Sequence, residues 1–348
     1  MPAQRIVVVG ASAGGVEALI ELSKELPADF PAPIFVTIHI PSDTPSILPL
    51  ILKRNGKLDA KHAQDGMPFH AGVIYIAPPD HHMLIQRNGT LSVVRGPREN
   101  RHRPAIDPLF RSAAIAAGPA VVGVILTGTL DDGTAGLIAI KECGGIAVVQ
   151  DPADALYSPM PQSAIENVDV DFVLPLRDIA QKLVNLMTSE TGRLTIAPAN
   201  LEIIEMENRI AGMDPETMDS DHRPGKPSAF SCPDCGGVLW EIDDKNYTRF
   251  RCRVGHAFSP ESALSGQDHV LEEALWTALK TLEESARLSK RLAGGEHERG
   301  HSWMAARFEA RESDARDRAE VIRRVLVTGT SEVPQPDEEE VQSNVQRR

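Results

Sequence analysis

Gly10-Ala-Ser12-Ala-Gly14 sets a serine between two glycines, the G-x-S-x-G pattern of a nucleophile elbow. Ahead of it, Ile6 to Val9 is a short apolar run rich in β-branched residues. Behind it, Val16, Leu19, Ile20, Leu22 and Leu26 recur at helical spacing. A strand-to-helix turn of this kind lifts a hydroxyl out at the sheet edge, beside helix N–H groups that stabilise a forming oxyanion. Ser12 suits a plain helix cap equally well, and on the turn alone both readings stand. Cofactor loops fit less well. A dinucleotide fingerprint needs glycine where Ser12 stands, and a P-loop needs Lys and Ser/Thr where Val16 and Glu17 follow Gly15.

A serine nucleophile needs a base, because its hydroxyl is weakly nucleophilic at neutral pH. His39 ends the second apolar run, Ile34 to Ile40, on the same C-terminal rim as Ser12. Among eleven histidines it reads equally as a hydrogen-bonded core residue. Asp131-Asp132-Gly133 follows the apolar run Val121 to Leu126 on that rim. One carboxylate there can hold an imidazole tautomer and stabilise the imidazolium, while the other caps the next helix. The chain order Ser-His-Asp differs from the Ser-Asp-His order of α/β-hydrolases.

A second set of reactive residues lies late in the chain. Cys232-Pro-Asp-Cys235 is a C-x₂-C knuckle, and Cys252-Arg-Val-Gly-His256 adds a thiolate and an imidazole. Together Cys232, Cys235, Cys252 and His256 make a closed tetrahedral set for structural Zn²⁺, with no position left open for catalysis. A module of about 30 residues buries little core, and a metal supplies the missing stability. A metal-free hairpin with reduced cysteines is the competing reading. The fourth cysteine, Cys143, reads as an ordinary helix residue.

Elements must position these groups. In the first half, apolar runs alternate with amphipathic helices: strands at Ile6–Val9, Ile34–Ile40, Val73–Ala77, Val121–Leu126, Ile146–Val149 and Phe172–Leu174, and helices at Val16–Leu26, Pro108–Ala117, Gly136–Cys143 and Leu176–Met187. A hairpin turning at Asn88-Gly89 is expected as type I′. The fold class is α/β, an open, mostly parallel doubly wound sheet with helices on both faces. The expected domains are a catalytic unit at 1–189, a linker at 190–228, a zinc-ribbon-like module at 229–259, a helical hairpin at 260–327 turning near Gly294-Gly295, and a disordered acidic tail at 328–348. The hairpin seam is read as Leu271, Leu275, Ala278 and Leu282 against Met304, Phe308, Ala315, Ala319 and Ile322, and suggests self-association through these helices.

The 348 residues carry a formal net charge of −13, which argues against a nucleic-acid partner. No apolar run approaches the roughly 20 residues that span a bilayer, and no membrane insertion is expected. Four cysteines form no disulfide framework, so a reduced, cytoplasmic protein is expected.

Val7-Val-Val-Gly-Ala-Ser-Ala-Gly-Gly15, Ala77-Pro-Pro-Asp80, Arg103-Pro-Ala-Ile-Asp-Pro-Leu-Phe110, Leu126-Thr-Gly128, Asp132-Gly133 and the strand-end His39 before Pro41 resemble the catalytic domain of chemotaxis protein-glutamate methylesterases, the CheB family. The resemblance covers Met1 to about Met187. It implies hydrolysis of glutamyl methyl esters on receptor cytoplasmic helices or another protein substrate, with glutamine deamidation beside it and no cofactor for catalysis. It assigns Ser12 as nucleophile, His39 as base and Asp132 as the orienting carboxylate, with backbone oxyanion donation at Ala13 and Thr129. Ala13, Thr129 and Leu130 depart from the family pattern. Leu130 stands where the family has glycine, so a strained or altered loop is expected, and a catalytically weakened scaffold is the alternative. The first strand begins near residue 5, so no attached receiver domain is expected to control the enzyme.

Overall fold

The computed structural model describes residues 5–41, 44–188, 200–244 and 247–328. The acidic tail expected beyond Thr328 and residues 190–199 of the expected linker lie outside them. The chain divides at Leu264/Ser265 into two compact units.

In the first unit, seven strands form one sheet: β1 (Ile6–Ala11), β2 (Ile34–Ile38), β3 (Asp59–His62), β4 (Val73–Ile76), and, past the hairpin β5 (His82–Ile85) and β6 (Leu91–Val94), β7 (Val121–Ile125), β8 (Ile146–Gln150) and β9 (Phe172–Leu174). Their order is β3-β4-β2-β1-β7-β8-β9, and every pairing is parallel. β1, β2 and β7 are buried along their whole length, which is why they read as continuous apolar runs rather than alternating ones.

Side chains of one strand alternate between two cores. Val7 and Val9 pack with α1 (Gly15–Glu25), α2 (Leu48–Asn55) and α6 (Leu176–Thr188) through Leu19, Leu22, Leu52, Ile179 and Leu183. Ile6 and Val8 face α3 (Ile106–Ala117), α4 (Thr134–Glu142) and α5 (Pro159–Asn167) through Leu109, Phe110, Leu137, Ile140 and Met160. Strand order reverses between β1 and β7, with β2 and β8 lying on opposite sides of the pair. The crevice at the strand C-termini there is where open α/β sheets hold their sites.

β3, α2 and α5 carry weaker signals and were not expected from the sequence. The β5–β6 turn also differs from expectation. Only Gly89 of the Asn88-Gly89 pair has positive φ (82°), and Gln86 N–H bonds Thr90 C=O at 2.9 Å while Gly89 N–H bonds Gln86 C=O at 3.1 Å. This is a type I turn closed by a glycine bulge; a type I′ turn needs both residues at positive φ.

Residues 200–225, read from composition as linker with one short helical stretch around Leu201 to Arg209, form α7 (Leu201–Ala211) and α8 (Pro215–Asp219), and bury Ile204, Glu207, Ile210 and Ala211. Four antiparallel strands follow in the order β10 (Lys226–Ser231), β11 (Val238–Asp244), β12 (Tyr247–Cys252) and β13 (Ala257–Phe258). Their small core is Cys232, Leu239, Cys252, Phe258 and Ala263.

α9 (Pro260–Glu298) carries the chain out of the first unit, and α10 (Ser302–Thr328) returns antiparallel to it. The turn falls at Gly300 (φ 77°), while Gly294 and Gly295 stay inside the helix. A glycine within a long helix costs about 1 kcal/mol, whereas the left-handed residue at the end stops it. The seam is narrower than expected. Ala286, Ala293, Ala305, Ala315, Ala319 and Leu279 are buried, but Leu271 is 47% exposed and Trp276, Leu288 and Leu292 also face outward. Among the described residues, no helix is long and apolar enough to cross a membrane.

Gly10, the first glycine of the elbow, is the second-last residue of β1, and a Cβ there would lie 2.5 Å from Ile106 Cγ2 at the start of α3. Gly10→Ala is therefore expected to lower the urea-unfolding free energy by about 1–3 kcal/mol. Gly294, with open space around it, should instead gain about 0.5–1 kcal/mol of helix stability as Ala, read by thermal melting followed by circular dichroism.

Candidate functional site

Ser12 leaves β1 into the turn that starts α1. Its N–H bonds Thr127 C=O at 3.0 Å, and its C=O accepts Gly15 N–H at 2.8 Å. Gly14 adopts φ 72°, which lets the chain reverse beneath the serine. The loop after β7 runs alongside. A Cβ on Gly128 would lie 2.8 Å from Ser12 Cβ and 2.7 Å from Met160 Cε, so only glycine permits this approach. Thr127 Oγ1 ties the two loops together by donating to Ala13 C=O at 3.0 Å and accepting Tyr157 N–H at 2.8 Å. Among the described residues, neither the Ala13 nor the Thr129 N–H is engaged in a hydrogen bond. Leu156 and Tyr157, 71% and 44% exposed, make an apolar lip beside the elbow.

His39 follows β2, and its N–H bonds Ala11 C=O, which fixes it beside the elbow. Its Nδ1 lies 2.9 Å from Ser12 Oγ and its Nε2 lies 2.7 Å from Asp132 Oδ2. An ionised aspartate only accepts, so Nε2 carries the proton and Nδ1 is free to accept from the serine hydroxyl. The ring is thus turned opposite to the familiar protease arrangement, in which Nε2 meets the serine. His102 stacks on His39 with ring centroids 3.6 Å apart. Burial, reinforced by the neighbouring His39, pulls His102 down to about 3 and keeps it neutral.

Asp132 is held at the N-terminus of α3. Oδ2 accepts Ile106 N–H at 2.7 Å, and Oδ1 accepts Asn100 Nδ2 at 2.9 Å and Asp107 N–H at 3.3 Å. Burial pushes its carboxyl up, but the His39 hydrogen bond and charge, Ile106 N–H and the Asn100 amide outweigh this and hold it well below the ordinary range. Its neighbour Asp107 is driven the other way, well above its usual value, by burial and then by the Asp132 charge. Asp107 Oδ1 caps the next helix through Gly133 and Gly136 N–H.

The residues alone leave the roles of the adjacent aspartates open, the family resemblance points to Asp132, and Asp132 is the one that lies against His39. Asp131 turns away from His39. It accepts Ser259 Oγ–H at 2.6 Å and Tyr247 O–H at 3.0 Å, both from the small C-terminal sheet and its exit. Leu130 sits at φ 58°, the left-handed conformation a glycine would take, so the loop keeps its course at a cost of about 1 kcal/mol. Asn100, His102 and Asp107 were not singled out as individual site residues. The expected helix begins at Pro108, so Asp107 fell outside it; the helix starts at Ile106 and places Asp107 in its first turn.

Cys232, Cys235, Cys252 and His256 also converge, with all four ligand atoms within 4.8 Å of one another. Cys235 Sγ–Cys252 Sγ is 3.7 Å, and His256 Nδ1 lies 3.6 Å from both Cys232 Sγ and Cys252 Sγ. A tetrahedral ion with bonds of about 2.3 Å to sulfur and about 2.0 Å to nitrogen has ligand edges of roughly 3.5–3.8 Å, so the donor set fits such an ion.

Within the first unit, the small sheet joins α3, α7 and the Glu99 segment through buried charge. Glu99 receives Arg111 and Arg251 Nη2 at 2.6 and 3.0 Å, and Glu207 pairs with Arg249 and Arg251. Each carboxylate opposes its burial with two guanidinium partners, and both are held below their usual range.

Burial raises Asp131 to about 6, partly opposed by the Ser259 and Tyr247 hydroxyls. Because that value exceeds the unfolded one of about 3.9, the folded state binds the proton more tightly. The contribution of Asp131 to stability should therefore fall as pH rises from about 4 to about 6 and then level off, by on the order of 3 kcal/mol. Asp131→Asn is expected to remove that part of the fall and to exceed the native protein at pH 7.5 but not at pH 4, as read by urea denaturation at the two values.

Residues 7–183 match the profile of the CheB methylesterase family. Protein-glutamate methylesterase/protein-glutamine glutaminase 2 of Rhizobium johnstonii is 41% identical over 185 residues, which are 52% of this chain and 50% of that protein. A Leptospira interrogans homologue that carries the same pair of activities in its name is 41% identical over 180 residues and is covered over 93% of its length. The Thermotoga maritima CheB methylesterase catalytic domain superposes with a TM-score of 0.51 at 36% identity, covering 53% of this chain and 99% of that domain. With the family profile, these homologues and that shared fold all falling on the segment that carries Ser12, His39 and Asp132, the chain belongs to the CheB methylesterase family.

Proposed function

We propose that this protein hydrolyses glutamyl methyl esters on the cytoplasmic helices of chemoreceptor-type proteins, with Ser12, His39 and Asp132 as its catalytic triad. The observation that carries this reading is the unbroken Ser12–His39–Asp132 hydrogen-bond chain, at 2.9 and 2.7 Å, at the strand-order reversal of the sheet.

The reaction follows from the groups in place. Ser12 Oγ attacks the ester carbonyl while Nδ1 of His39 takes its proton. Asp132, kept ionised by its donors, stabilises the imidazolium through Nε2–H. The oxygen of the tetrahedral intermediate meets the free N–H groups of Ala13, in the turn before α1, and Thr129, in the loop after β7. The carbonyl re-forms, the C–O bond to methanol breaks, and His39 returns the proton to the departing methoxide. Water then attacks the glutamyl-serine ester by the same route and restores Ser12. The same steps on a glutamine amide release ammonia. No step requires a cofactor. The weakened-scaffold alternative rests on Ala13, Thr129 and Leu130 and on the large C-terminal half; the left-handed φ at Leu130, a conformation open to glycine, and the Ser12–His39–Asp132 hydrogen bonds support the enzyme.

In this reading Cys232, Cys235, Cys252 and His256 hold a structural Zn²⁺, and the protein works in the cytoplasm. The apolar residues exposed on the helical hairpin, Trp276, Leu288 and Leu292, support self-association.

Methanol release from a methylated receptor helix tests the assignment. Ser12→Ala should abolish it, and Asp132→Asn should lower kcat by about 10⁴-fold. Unchanged release from Ser12→Ala would defeat the proposal. Sedimentation of a variant with Trp276, Leu288 and Leu292 changed to Ser should show a smaller species than the native chain; an unchanged mass would remove the self-association claim.

A further inference from the structure

We infer that Asn100 is a positioning residue for the triad carboxylate, and that the Cys₃His module holds it, so that metal occupancy in the module sets the rate of catalysis. The inference rests on the triad reading above.

Asn100 is 4% exposed, and its side chain spends every polar group between two parts of the first unit. Its Nδ2 donates to Asp132 Oδ1 and to Asp107 Oδ2, both at 2.9 Å. Its Oδ1 accepts Ser259 N–H at 2.9 Å and Ser262 Oγ–H at 3.0 Å. The backbone joins in, since Asn100 N–H donates to Ala257 C=O at 2.8 Å and Ala257 N–H donates to Arg98 C=O at 3.2 Å. The left-handed φ of 49° at Asn100 is one that asparagine tolerates better than most residues.

An amide can turn over, exchanging its donor and acceptor ends. Turned over, Asn100 would aim its oxygen at Asp132 and Asp107 and take two donors from the pair. The Ser259 N–H forbids this, because a backbone N–H can only donate. The module thereby fixes which end of Asn100 faces the triad. Ser259 also holds Asp131, the residue before Asp132 in the chain.

The metal enters through sequence adjacency. His256 precedes Ala257, and Cys252 and Cys232 are two of the five residues in the module's buried core. A core this small depends on its ion, and without it the stretch from Cys252 to Ser259 loses its anchor. Gly255, between the last two ligands, lies so close to Pro97 that a Cβ would come within 2.6 Å, so the ligand loop also presses on the start of the Arg98–Asn100 segment. Asp132 touches His39 and not the ester, so this loosening lowers kcat and leaves KM in place.

The test uses the full-length protein with Zn²⁺ bound or removed by chelation. Ser12 is labelled with a fluorophosphonate, and kcat and KM are measured on a methylated receptor helix. Metal occupancy is followed separately by the thiolate charge-transfer band of the Cd²⁺-substituted protein, which Cys252→Ser should diminish. Thermal melting confirms folding of each variant. Ser259→Ala/Ser262→Ala should lower kcat and the labelling rate by about 10-fold with KM within about 2-fold. Asn100→Gly, which keeps the backbone conformation, should lose at least as much. The triple variant should be no slower than Asn100→Gly, and chelation should slow the native protein about 10-fold but not Asn100→Gly. Additive losses in the triple variant, or unchanged labelling of the chelated native protein, would overturn the inference. Metal-dependent labelling without methanol release would refute the substrate assignment while supporting this one.

Discussion

A single buried carboxylate organises this molecule. Asp132 accepts from a histidine, two backbone N–H groups and an amide, so an ion that would be expensive in the interior becomes a fixed point. Four segments are constrained by it: the rim loop after β7, the start of α3, the strand-end His39 and the Arg98–Asn100 stretch. Its hold on the imidazole makes Nδ1 the basic nitrogen facing Ser12. Asp107, its carboxyl pushed well above its usual range by burial and then by the Asp132 charge, shows the cost of a second charge in the same space.

The division of labour between Asp131 and Asp132 links two modules. Adjacent residues on one strand exit point in different directions, one into the active site and the other into the C-terminal sheet. The Glu99–Arg111–Arg251–Glu207 cluster backs this junction. Buried ions of this kind add little net stability over apolar packing, but removing one partner leaves an uncompensated charge. The junction is therefore intolerant of partial loss.

How much was legible beforehand depended on the range of the interaction. The elbow at Ser12, the strand-end His39 and the C-x₂-C and C-x₃-H spacings are local, and each could be read where it stands. The roles of Asn100 and His102 depend on residues far along the chain, such as Ser259 and His39, so no spacing announces them. The stretch after residue 200 looked like linker because its composition is polar. Yet Glu207 is buried between two arginines of β12, a pairing invisible until the strand is placed. Gly294-Gly295 looked like a helix break, but the helix runs through them, because glycine only weakens a helix and a left-handed residue is what ends it.

The sequence by itself determined the alternation of strand and helix, the parallel sheet, the serine turn and the metal-ligand set, because hydrophobic period, glycine conformation and ligand spacing are properties of neighbouring residues. Which ring nitrogen faces Ser12, that Asp131 turns to the C-terminal sheet, and that the sheet carrying the Cys₃His set abuts the Asn100 segment bonded to Asp132 emerged only in the tertiary structure. Those outcomes depend on which buried donors and acceptors meet across the fold, and a buried polar group must find its partner wherever the chain places one.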